Sequence, residues 1–147
     1  MAKSRLRRLA LWLVLSLVAV FLALQFKQPD RTNPPVGSEI VAPAEIAAIL
    51  ERSCYDCHSN ETGWPWYSYV APVSWWLADH VHHGRGDLNF SQWPVLDFEA
   101  QEHSFHDIDE QIAKGEMPLK NYLIMHPGAR LSDAEKDALR RWAQSNF

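Results

Sequence analysis

The sequence predicts an all-α fold, a small helical domain behind an N-terminal transmembrane anchor. Three observations lead there. An uncharged apolar run lies near the N-terminus, from Leu9 to Phe26. Segments after it carry apolar residues three and four positions apart, the spacing of a helix face. Alternating patterns are weak: Leu88 to Val95 alternates briefly but contains Pro94, and proline is confined to sheet edges and bulges.

The run LALWLVLSLVAVFLALQF has 18 residues. That is about the lower limit for a helix that crosses a bilayer at ~1.5 Å rise per residue. Lys3, Arg5, Arg7 and Arg8 precede it with no acidic residue among them. Basic flanks stay on the cytoplasmic side, so the chain beyond Phe26 is expected outside the cytoplasm. A cleaved signal peptide has a shorter apolar core and a small-x-small cleavage site. This run offers bulky or poorly spaced residues there, which favours an uncleaved signal anchor over residues 1–26. A buried core helix fits less well, because the run is apolar all round and basic at one end.

At 147 residues the chain has room for one domain, and a hydrophobic content of 47% is ordinary. Without the four N-terminal bases the remainder holds ten basic against 18 acidic residues, a formal charge of −8. Such a surface is a poor match for nucleic acid. It suits solubility, and it can steer toward a basic partner. Residues 27–42, KQPDRTNPPVGSEIVA, hold three prolines and a glycine without periodicity. They read as a flexible, extended linker. The folded domain is then expected over residues 43–147.

Within it, Pro43 suits a first helical turn, and Ile46, Ile49, Leu50 and Ser53 share one face of the helix that follows. Val73 to His83 reads as a second helix, stopped by Gly84. Ser104 to Lys114 is a third, with Ile108 and Ile112 four apart and Gly115 as its stop. Leu119 to His126 is a short fourth. Ser132 and Glu135 have capping-box spacing and open a fifth, whose Ala138, Leu139 and Trp142 share a face.

The first of these helices delivers the stretch SCYDCHSN, residues 53–60, which holds both cysteines of the chain. A disulfide between Cys54 and Cys57 would close a very small loop and remove little entropy from the unfolded chain. A thioredoxin-type dithiol belongs beside a βαβ pattern, which is lacking. Zinc needs four ligands. His80 and His83, one helical turn apart, could add to the cysteines, but zinc chemistry gives no reason for the tryptophans nearby. The remaining reading is covalent haem, for which C-x-x-C-H is the attachment signature. Two thiols add across the vinyl groups of one porphyrin edge, and His58, directly after Cys57, is placed to bind the iron. One haem c and its iron are therefore the expected cofactor.

A haem needs an apolar cover, and Trp64, Trp66, Tyr67, Tyr69, Trp75, Trp76 and Trp93 supply aromatic area after the motif. Each alone reads as core; as a group they are expected to include haem contacts, with Trp64 foremost. The second iron ligand is open between Met117, His126 and none. Met117 leads, since it lies in the turn Gly115-Glu116-Met117-Pro118 between two predicted helices, with Pro118 stiffening the approach. Met125, in an apolar helical stretch, reads as core. Arg85 could pair with a haem propionate, and Asn89 and Tyr67 could donate hydrogen bonds to one.

Taken together, CYDCHSN, WPWY, APVSWW, GR-x-x-LNFSQW, GEMP and LS-x-x-E resemble the bacterial haem-binding domain family that carries a single C-x-x-C-H. The resemblance covers about Pro43 to Trp142. It implies an exported or anchored c-type haem protein, similar in layout to a class I cytochrome c: attachment motif early, Met-Pro loop later, helix last. Its site residues fall on Cys54, Cys57, His58 and Met117. The run Asp79-His80-Val81-His82-His83 departs from that pattern.

The function expected is electron transfer between redox protein partners at the periplasmic face of a bacterial inner membrane. No catalytic constellation stands out. The alternatives are a five-coordinate haem sensor or weak peroxidase, and a zinc-stabilised binding module.

Overall fold

The structure, a computed structural model, describes residues 2–94 and 97–147. Among them are seven α-helices, three short 3₁₀ turns and no strand. The brief alternation from Leu88 ends at Val95, outside the described residues; before it, Phe90–Gln92 forms a 3₁₀ turn. The chain divides into two compact units.

The first unit comprises the chain up to Arg31 together with Trp64–His80. Its long helix, α1, spans Ala2–Leu24. Leu, Ala and Val dominate it, and neither glycine nor proline interrupts it. The span Arg5–Leu24 has a mean hydropathy of 2.0 and is not covered by the rest of the protein. Twenty residues at this rise measure about 30 Å, the hydrocarbon thickness of a bilayer. The helix is thus long and apolar enough to be a membrane anchor or a signal sequence. Past its end, Gln25 bonds to both backbone groups of Ala71: its Nε2 donates to the carbonyl at 3.2 Å, and its Oε1 accepts from the amide at 2.9 Å.

The second unit comprises Thr32–Gly63 and Val81–Phe147. Helix α2, Ala44–Ser53, buries Ile46, Ile49, Leu50 and Ser53, the face predicted from spacing. Each large aliphatic residue removed from water there contributes about 1.5–3 kcal/mol. A single turn, α3, follows at Tyr55–His58. Helix α4, Val73–Asp87, begins in the first unit and ends in the second. It does not stop at Gly84, and the reason is packing rather than capping (described with the site). Helix α5, Phe98–Lys114, starts six residues before the predicted Ser104. Asp97 caps it by accepting from the Ala100 amide at 3.0 Å. Its opening turns are mostly polar, so they carry no apolar rhythm to read. It ends at Gly115, whose φ of 67° is the left-handed conformation that glycine adopts without strain. Helix α6 spans Lys120–Met125, and α7 spans Asp133–Gln144 behind the predicted capping box.

The core lies between α2, α5 and α7. Trp93 meets Phe105 edge-on at 5.0 Å, and Phe105 meets Trp142 at 5.3 Å. Arg140 of α7 donates to Asp109 of α5 at 2.7 Å. The segment read as a flexible linker lacks regular structure, as its prolines dictate, yet its second half is fastened. Gly37 and Ile40 amides donate to Ser91 and Phe90 carbonyls, the Trp93 amide donates to Ser38, and Ile40 is buried.

One ion pair joins the helix before the cysteines to the last helix. Arg52 Nη1 lies 2.8 Å from Glu135 Oε1. Glu135 also accepts from the Ser132 amide and hydroxyl at 2.7 and 2.8 Å. Chiefly through Arg52, then through Ser132, its carboxyl is held down to about 2. A depressed folded pKa gives stability that is present above the unfolded value of about 4.3 and is lost as pH falls toward 2. Glu135→Gln keeps a group able to reach Ser132 but loses the charge. It should lower the Tm of the full chain in detergent at pH 7 by roughly 2–4 °C. The gap between variant and parent, followed by circular dichroism, should close as pH falls from about 4.3 to 2.

Candidate haem site

Cys54 is the joint between α2 and α3. Its amide still closes α2 by donating to the Leu50 carbonyl at 2.8 Å, and its own carbonyl accepts from Cys57 and His58 at 3.1 and 3.0 Å. Three positions apart in this turn, Cys54 and Cys57 fall on one side of it. Both are free thiols. Burial pushes Cys54 up to about 12 and Cys57 up to about 11, so both are neutral at physiological pH.

The imidazole of His58 is oriented by a backbone group. Nδ1 lies 3.0 Å from the carbonyl oxygen of Leu88, the residue just past α4. A carbonyl only accepts, so Nδ1 carries the proton and Nε2 keeps its lone pair. Burial lowers the pKa of His58 from its ordinary value, against the opposing pull of the Leu88 and Gly84 carbonyls. A neutral, oriented imidazole with a free Nε2 is the state a metal requires of histidine.

The close approach of α4 to this turn explains Gly84. A Cβ there would lie 2.8 Å from the Cys57 carbonyl oxygen and 3.3 Å from its carbon. Glycine is needed so that a helix can pass against backbone, and the helix continues through it to Asp87.

Beside the motif lies a cavity of about 420 Å³, within the range of cofactor sites. Leu50, Leu88, Phe90, Ile108 and Ile112 form its apolar wall, and Cys54, His58 and Met117 also line it. Met117 reaches it from the half-buried turn between α5 and α6. Asp87, His103, Asp107 and Gln111 complete the lining. An apolar cavity that presents a thiol, a free imidazole nitrogen and a thioether fits a haem and its iron.

The other residues singled out from the sequence lie elsewhere. Arg85 serves the loop after the motif: Nε donates to the Ser59 carbonyl at 2.7 Å, Nη1 to the Thr32 carbonyl, and Nη2 to Asn33 Oδ1 and Thr62 Oγ1. Asn89 donates to Asn60 Oδ1 at 2.9 Å and accepts from the Ser91 amide. Trp64 belongs to the first unit, and its buried Nε1 has no hydrogen-bond partner among the described residues. Trp93 is in the core, stacked 6.4 Å from the cavity residue Phe90. Met125 is 55% exposed rather than buried, because α6 is short and turns Leu123 inward instead. His126 stacks on Tyr122 at 4.2 Å and is not among the cavity-lining residues.

Asp87, His103 and Asp107 escaped the sequence reading as cavity residues. Ile108 and Ile112 were legible as a helix face, and His103 lies about one turn before Asp107 on the same helix, 3.4 Å from its carboxylate. For zinc, the described cluster of ligand-type side chains is His106, Asp107 and Glu110 on α5, which includes neither cysteine.

Gly84 and Gly86 make a matched pair of tests. Gly84→Ala forces a Cβ onto backbone and should destabilise by about 1–3 kcal/mol, lowering the yield of haem-loaded protein in a strain with attachment machinery. A Cβ at Gly86 meets nothing within 4 Å. Gly86→Ala should be neutral or stabilise by up to about 1 kcal/mol, the helix preference of alanine over glycine. Thermal unfolding and the ratio of haem absorbance to protein check both.

No curated protein and no solved structure matches the chain. A haem-binding domain family matches residues 19–145, which covers the cysteine motif, the cavity walls and α7. The chain belongs to this haem-binding domain family.

Proposed function

We propose that the chain is a membrane-anchored c-type cytochrome, with one haem held by thioethers to Cys54 and Cys57, and that it transfers single electrons. The observation that carries this reading is the convergence of Cys54, His58 and Met117 on one apolar cavity, although His58 and Met117 are 59 residues apart in sequence. When bound, haem supplies a one-electron iron couple.

The chain's own residues do the rest. His58 would hold the iron through Nε2, with Leu88 fixing the imidazole. Met117 would hold it through its thioether. Methionine–histidine ligation and an apolar wall both raise the reduction potential. The Leu50, Phe90, Ile108 and Ile112 side chains exclude water from the ring. Asp87 and Asp107 line the same cavity and bring carboxylate groups to it.

Location follows from the N-terminus. Lys3, Arg5, Arg7 and Arg8 hold the start of α1 in the cytoplasm and α1 crosses the inner membrane, so the cysteines lie in the periplasm. The formal charge of −8 on the exported part suits redox partners with basic docking faces. His103 gives a specific rival to Met117, since it lines the same cavity.

A pyridine haemochrome assay and a haem stain on a denaturing gel test covalent attachment. One haem per chain is expected, with Cys54→Ser and Cys57→Ser each greatly reducing stained product. Met117→Ala should keep the haem attached, abolish the weak charge-transfer band of iron–thioether bonding and allow carbon monoxide to bind the reduced form. His103→Ala should leave the spectrum unchanged. If the parent lacks that band, and His103→Ala rather than Met117→Ala lets carbon monoxide bind the reduced form, the ligand is His103. If the parent already binds carbon monoxide readily, the sixth position is open and sensing replaces electron transfer. Colourless protein from a haem-maturing host overturns the whole reading.

A further inference from the structure

The aromatic segment after the cysteine motif was expected to cover haem. Much of it is instead on the surface of the first unit. Trp66 is 73% exposed and Tyr69 54%, and Val73 and Trp76 are exposed as well. A soluble surface seldom leaves so much contiguous apolar area open unless it meets a partner. What the segment is tied to identifies that partner.

The ties run to the end of α1. Gln25, the residue after the helix, holds both backbone groups of Ala71. Three residues on, Gln28 Nε2 donates to the Tyr69 carbonyl at 3.4 Å. Arg31 Nη1 donates to the Ser68 carbonyl at 3.1 Å, and its guanidinium lies 4.3 Å from the centre of the Tyr69 ring. Trp75 Nε1 donates to the Lys27 carbonyl. Leu24 and Gln25 are half-buried beneath this segment, whereas the residues of α1 from Arg5 to Ala23 are exposed except at its very end. Phe26, at the same level, is 92% exposed.

These bonds tie the segment that carries the aromatic residues to the end of α1. They lie beside the point where a 20-residue apolar helix ends, and in a bilayer that point is the boundary between acyl chains and headgroups. Tryptophan and tyrosine are enriched there because each joins an apolar ring to a polar group that needs water. Lys27 and Arg31 stand in the same segment, and basic groups are favoured beside anionic headgroups.

We propose that Phe26, Trp66, Tyr69 and Trp76 form an aromatic collar that sits in the lipid interface and seats the first unit on the membrane. This rests on the reading of α1 as an uncleaved anchor. The collar would limit rocking of the first unit's aromatic segment on its helix.

The test uses the full haem-loaded chain, labelled with 5-fluorotryptophan and placed in vesicles of phosphatidylcholine and phosphatidylglycerol. Trp12, Trp66 and Trp142 resonances are assigned by replacing each with phenylalanine. Peak heights are compared with and without lipid spin-labelled near the headgroup, lipid spin-labelled at the chain end, and a water-soluble nickel complex. The collar requires that headgroup-labelled lipid remove most of the Trp66 signal, that the nickel complex attenuate it only weakly, and that Trp142 in the core respond to neither lipid. Trp12 should respond to chain-end label. If Trp12 responds and Trp66 is instead bleached by the nickel complex alone, the collar is wrong and the anchor stands. If Trp12 is also untouched by lipid, the anchor reading has failed and the collar fails with it.

Discussion

The hydrogen bond between His58 Nδ1 and the Leu88 carbonyl organises the site, because it joins the attachment turn to the end of α4. It sets the tautomer and the ring plane, and it leaves the lone pair on Nε2, in one contact. The contact forms only if α4 runs close to the Cys-x-x-Cys-His turn, and that closeness is possible only without a Cβ at Gly84. A glycine in mid-helix costs about 1 kcal/mol relative to alanine. The gain is a histidine held by backbone, which a side-chain rotamer change cannot release.

Around that bond the loop after the motif is held by polar contacts rather than by burial of large residues. Arg85 spends three nitrogens on Ser59, Thr32, Asn33 and Thr62. The Asn60 backbone amide donates to Ser91 Oγ, and its side-chain amide donates to the Pro35 carbonyl. Ser59 and Ser91 are fully buried and serve as short connectors. Small polar residues suit this place, since a large apolar side chain would push the turn away from α4. A loop fixed this way by several hydrogen bonds has little freedom to move.

Legibility in the sequence followed the physics of each element. Helices α2 and α7 could be read because their apolar faces and caps are local: Ile46, Ile49 and Leu50, or Ser132 with Glu135. The early start of α5 could not, because Asp97 caps a polar stretch. Gly84 looked like a helix stop because a sequence shows the missing side chain and not the backbone that occupies its place. Arg85 and Asn89 looked like cofactor ligands for a similar reason. Their donors are real, but their acceptors are backbone and side-chain groups distant in sequence. The motif itself, Cys54 to His58, was readable because its residues are contiguous. The cavity that brings Met117 and His103 to it depends on tertiary packing, and no spacing announces that.

Asp56, one of the two residues between the cysteines, shows how the two sides of the site are linked. Its Oδ1 accepts from the Gly63 amide at 2.9 Å, closing the loop after the motif. Its Oδ2 accepts from the Tyr122 hydroxyl at 2.6 Å. Tyr122 belongs to α6, which starts three residues after Met117. The attachment turn and the Met117 turn are therefore not independent: one carboxylate positions both. Displacement of α6 would pull on the turn that carries His58, and displacement of that turn would pull on α6. Met117 lies in a half-buried loop with no helix of its own. Its approach to the cavity is limited by Gly115 on one side and by this hydrogen bond on the other. A loop held on both sides has few other places to go, so the Met117 thioether keeps its position at the cavity.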